Sequence, residues 1–79
     1  MASAVINLYE AAPDVVFSVV SVPNIGLLGS MGLRVGSRVV VQNRYALGGP
    51  VLMRVEDTYS LAIGKDIATQ IAVREAAAS

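Results

Sequence analysis

Apolar and polar positions alternate over four stretches of the chain, and each alternation predicts a strand. From Asp14 to Val22 one face carries Val15, Phe17 and Val19 and the other Val16, Ser18 and Val20, so the first set is expected in a core. Ser37 to Arg44, with Val39, Val40 and Val41, is β-branched enough to be a second strand. Val51, Met53 and Val55 continue the alternation after Pro50, and Tyr59 to Ile63 repeats it with Leu61 and Ile63 inward. Between the first two strands, Ile25, Leu27, Leu28 and Met31 fall at helical spacing, which predicts a short helix over Asn24 to Met31 with Asn24 as its cap. Ile6, Leu8, Tyr9 and Ala12 predict one helical turn near the start, and Ile67 and Ile71 a second turn over Lys65 to Gln70. Ala72-Val73-Arg74 reads as a closing strand, Met1 to Ala4 as a frayed start and Glu75 to Ser79 as a solvated tail.

Glycines set the breaks between these elements. Gly32 follows the greasy helix and precedes Leu33, the pattern of a left-handed helix cap with a hydrophobic clasp. Gly36 stands where a tight turn needs positive φ, so both glycines are expected at positive φ for structural reasons. Gly48, Gly49 and Pro50 end the central strand and start the next, since proline donates no ladder hydrogen bond and suits a first strand position. Glu56-Asp57 separates the last two alternating runs at hairpin spacing, with aspartate in the place usually held by glycine.

Composition narrows the chemistry. Of 79 residues 54% are hydrophobic, yet no apolar run approaches the roughly 18 residues of a membrane helix, so no direct membrane insertion is expected. The start of the chain lacks the charged and apolar pattern of a secretory signal, which predicts a cytoplasmic protein. There is no cysteine and no histidine, which removes disulfides, thiol nucleophiles, imidazole bases and thiolate or imidazole metal ligands. The reading is therefore of a non-enzyme with no cofactor and no metal residues, and ferrous or zinc titration is expected to reveal no stoichiometric site. Glu56-Asp57, an adjacent carboxylate pair, reads as a solvated hairpin tip, because a hard-metal site needs several converging oxygens. Six basic and six acidic side chains cancel, which argues against nucleic acid as a partner even though Arg34, Arg38, Arg44 and Arg54, with Tyr45, offer a basic face. Gly48 and Gly49 lack the lysine and the following helix of a phosphate loop and read as turn residues.

The order helix, glycine cap, turn, valine strand, Gly-Gly-Pro and strand resembles the FeoA family of small ferrous iron transport accessory proteins. Met31-Gly32-Leu33-Arg34-Val35-Gly36 follows that family's Leu-Gly-Leu-x-Pro-Gly with Met31 for leucine and Val35 for proline, and Leu47-Gly48-Gly49-Pro50 matches throughout. The helix differs in having no arginine between Asn24 and Leu33. The resemblance implies a mainly β fold, a five-stranded SH3-like barrel with two or three helical turns, as five short strands and glycine turns do themselves. One domain over residues 1–79 is expected, its core about 8–74. The resemblance further implies an interaction module for the cytosolic part of the FeoB membrane transporter. A regulatory domain related to metal-dependent repressors and a small nucleic-acid-binding barrel are the alternatives. The strands already supply a full set of inward side chains, so Ile25, Leu27, Leu28, Met31 and Leu47 cannot all be core. Leu27 or Leu28, with Met31 near and Leu47 beside it, is expected to form an apolar patch for that partner or for weak self-association.

Overall fold

A computed structural model describes residues 4–76. The alternating stretches form the ladder that the pattern predicts. Strands β1 (Val5–Asn7), β2 (Val16–Ser21), β3 (Arg38–Arg44), β4 (Val51–Val55), β5 (Tyr59–Ile63) and β6 (Ala72–Glu75) make one antiparallel sheet in the order β1-β6-β2-β3-β4-β5. Two short helices, α1 (Gly26–Ser30) and α2 (Lys65–Ala68), and a 3-10 turn over Leu8–Glu10 complete the chain. The fold is mainly β and of the small SH3-like kind. Its sheet is twisted and bulged, with register shifts between Val19 and Ser21 and between Val41 and Asn43.

The strands number six rather than five. Helical spacing of Ile6, Leu8, Tyr9 and Ala12 suggested a turn where β1 forms, because the pairing Val5↔Arg74 comes from the far end of the chain and leaves no local trace. Helical character starts only at Leu8, where the Asn7 side chain accepts the Glu10 N–H at 3.2 Å. Glu75 belongs to β6 rather than to a tail, and Ala76 N–H still donates to Val16 O at 2.9 Å. The frayed start and solvated tail expected at the two ends lie, for residues 1–3 and 77–79, outside the described residues. The sheet edges are β1 and β5. The 3-10 turn packs on α2, and Leu8 N–H donates to Ile71 O at 2.8 Å, which carries the β1–β6 ladder one step past the strands.

Phe17, Val19, Val39, Val41, Val51, Met53, Val55 and Ile63 are buried as the alternation predicts, whereas Val15 and Leu61 are only partly buried. Leu8, Ala11, Leu28, Leu33, Ala68, Ile71 and Val73 fill the rest. Helix α1 opens with Ile25 at its cap position and no side-chain hydrogen bond there, so Asn24, one residue too early, does not cap it. It closes in a Schellman motif. Leu33 N–H donates to Leu28 O and Gly32 N–H to Gly29 O, both at 3.0 Å, around Gly32 at φ +83°. The clasp is the buried pair Leu28 and Leu33, which fixes α1 on the core through one side only.

Candidate functional site

Two protruding segments bracket the β4–β5 hairpin. The first is the loop between β3 and β4. Tyr45 N–H donates to Pro50 O at 3.0 Å and closes the loop, and Gly49 N–H donates to Ala46 O at 3.2 Å and closes the turn at its tip. The two central residues of that turn, Leu47 and Gly48, have φ +62° and +75°. A tip with both central residues left-handed is a type I′ turn, where asparagine, aspartate or glycine is usual first. Here leucine takes that place and is fully exposed. Gly49 is fixed by space instead, since a Cβ there would lie 2.9 Å from Tyr45 Cβ and 3.2 Å from Ala46 O.

Beneath this loop lies Tyr9. Its hydroxyl donates to Gly49 O at 3.5 Å, and its ring is approached by Lys65 Nζ at 5.3 Å and Arg44 Cζ at 5.9 Å. Arg44 Nη2 also donates to Ala11 O at 2.6 Å, which holds its guanidinium at the base of the loop. Neither cation has a carboxylate partner among the described residues, where the one ion pair is Arg54 Nε to Asp57 Oδ1 at 3.1 Å. The sequence offers Tyr9 and Lys65 only as members of two helical turns, because only the fold joins positions 9, 44 and 65.

The second segment is α1. Leu28 is 1% exposed and Leu27 62%, so the helix settles which of its two leucines can meet a partner. Leu28 as a contact residue is thereby corrected: it points at the core and clasps Leu33. Met31 is half-buried, and its carbonyl accepts the Tyr59 hydroxyl. That bond anchors α1 at the Val55–Tyr59 end of the β4–β5 ladder, while the Leu47 loop joins it at the Val51–Ile63 end. Leu27 and Leu47 are thus held from opposite ends of one hairpin rather than side by side on one element. Gly32 and Gly36 take φ +83° and +95°, Gly48 +75°, and Pro50 leads into β4.

On the outer sheet face, a groove of about 350 Å³ is lined by Val16, Arg38, Val40, Arg54, Glu56 and Asp57. There Arg54 pairs with Asp57, and the Glu56 carboxylate accepts the Arg38 backbone N–H at 2.9 Å. With Arg44 turned to Ala11 and Tyr9, the arginines do not gather into one basic face. Among the described residues no three His, Cys, Asp or Glu side chains come together as a metal cluster, and no helix is long and apolar enough to cross a membrane.

Comparison with known proteins agrees with this geometry. A structure described as the iron uptake regulatory protein FeoA shares 32% identity over 92% of this chain and 99% of its own, with a TM-score of 0.81. An FeoA-like protein from Clostridium acetobutylicum superposes with a TM-score of 0.78 at 23% identity, over 100% of this chain and 94% of its own. A manganese-dependent transcriptional repressor superposes at 0.83 but at 16% identity, over 94% of this chain and 43% of the repressor, which is a likeness of fold. No curated relative matches significantly. The FeoA domain model runs over residues 6–75, from within β1 to the last residue of β6, and this chain belongs to that family.

Proposed function

We propose that the chain is a cytoplasmic accessory protein of ferrous iron transport that acts by docking to the cytosolic part of a FeoB-type membrane transporter, without chemistry of its own. The observation that carries this reading is the 32% identity to an FeoA structure over nearly the whole of both chains. The side chains support a binding role in their own right. With no cysteine or histidine in the sequence, what the surface offers is shape, apolar side chains and a few cations.

Calorimetric titration of the chain into the transporter's purified cytosolic domain tests it, with single-stranded nucleic acid as the parallel titrant. Saturable binding to the protein and none to nucleic acid is expected. Binding only to nucleic acid, falling steeply with salt, would replace the docking reading by the nucleic-acid one.

A further inference from the structure

Leu47 is in a place that nothing inside the molecule asks for. Its turn favours asparagine, aspartate or glycine at that position, and a leucine held at φ +62° is strained. The core gains nothing in return, because the side chain is fully exposed. Strain and apolar exposure at one residue mark a position kept for something outside the fold.

What that is follows from the base of the loop. Arg44 and Lys65 both approach the Tyr9 ring, and Tyr9 bonds to the loop through Gly49 O. A Cβ on Gly48, next to Leu47, would sit 3.9 Å from the Lys65 side chain. Glu10 and Asp66 follow Tyr9 and Lys65 in sequence, yet neither forms an ion pair with the two cations. The tip is thus one apolar knob above two cations whose carboxylate valences are open among the described residues.

Building on the proposed docking to the transporter, we infer that Leu47 is the anchor that enters an apolar pocket with an acidic rim on the transporter's cytosolic part, Arg44 and Lys65 meeting the rim. The turn holds the knob in its bound shape beforehand, so little ordering is lost on docking. One leucine seated in a pocket changes affinity by about tenfold or more, and the two cations give the encounter its salt dependence.

The test uses the whole chain, as wild type, Leu47→Asn and Lys65→Gln, titrated into the transporter's cytosolic domain at two salt concentrations. Asparagine suits the left-handed turn, so Leu47→Asn is expected to melt no lower than wild type while binding at least tenfold more weakly. Lys65→Gln is expected to bind more weakly with a shallower salt dependence. Wild-type binding that Leu47→Asn matches within twofold overturns the anchor and leaves the docking reading standing. No wild-type binding overturns both. Flotation with phosphatidylglycerol vesicles and light scattering of the chain alone complete the set: Leu47-dependent binding to vesicles, or a Leu47-dependent dimer, assigns the tip to lipid or to a second copy and overturns the pocket.

Discussion

At the start of β3 the chain turns through Gly32 (φ +83°) and Gly36 (φ +95°) and sends Leu33 into the core; at its end it turns through Leu47 (φ +62°) and Gly48 (φ +75°) and leaves the leucine in water. In the first turn glycine carries the left-handed backbone and leucine supplies the burial, so each residue does what its covalent structure favours. In the second, one leucine bears the strain and receives no burial. The hairpin tip at Glu56 (φ +52°) and Asp57 (φ +58°) is a third case: the backbone is left-handed there as well, but its side chains are polar and bonded, Glu56 to the Arg38 N–H and Asp57 to Arg54. Left-handed backbone by itself therefore says little about function. Left-handed backbone under an apolar side chain with no internal contact says a good deal more.

Substitutions in these turns and in α1 separate residues that serve the fold from residues that do not. Leu28→Ala removes a fully buried clasp residue and should cost about 3 kcal/mol in urea unfolding, whereas Leu27→Ala next to it should cost less than about 0.5 kcal/mol. Equal losses would mean that α1 is not seated on the core as described. Gly32→Ala should cost about 2 kcal/mol, since it meets both a left-handed backbone and a Cβ position 2.6 Å from Tyr59 Oη. Gly36→Ala has the backbone term alone, with open space around it, and should cost about 1 kcal/mol. Combining Gly32→Ala with Tyr59→Phe in a double-mutant cycle should cost less than the sum of the two single losses; strictly additive losses would show that the Tyr59 hydroxyl does not crowd a Cβ at position 32. Leu47→Asn should raise stability by about 1 kcal/mol by relieving the turn, and a loss of stability would show that the leucine serves the fold after all. Asp57→Gly should leave stability within about 0.5 kcal/mol, because turn relief offsets an exposed ion pair of small value.

Strands β2 to β5 were legible because each alternation lies within one run of chain, and Phe17, Val39, Met53 and Ile63 are buried on the faces that the period assigns. The glycine cap was legible for the same reason: a Schellman motif is local, and Gly32-Leu33 states it. β1 was not legible, since three residues carry no period and their partner lies at the other end of the chain. The choice between Leu27 and Leu28 was equally closed to sequence. The two differ by about 100° around the helix axis, and which of them faces inward is set by how Leu33 and Tyr59 seat α1. Sequence did yield the excess of apolar residues over core positions. The base of the loop, by contrast, is assembled from three distant positions, Tyr9, Arg44 and Lys65, none informative alone.

The placing of β6 between β1 and β2 has a kinetic side. β1 pairs with no strand but β6, and β2 has β6 as one of its two neighbours, so residues 72–75 must be inserted between two strands made well before them. On the ribosome β2 to β5 can collect as sequential neighbours, but the first strand waits for the last, and this long closure limits how fast folding can finish. A nascent chain stalled before Ile71 carries an unpaired β2 edge beside the uncovered side chains of Phe17 and Val19, a surface open to pairing with another unfinished copy.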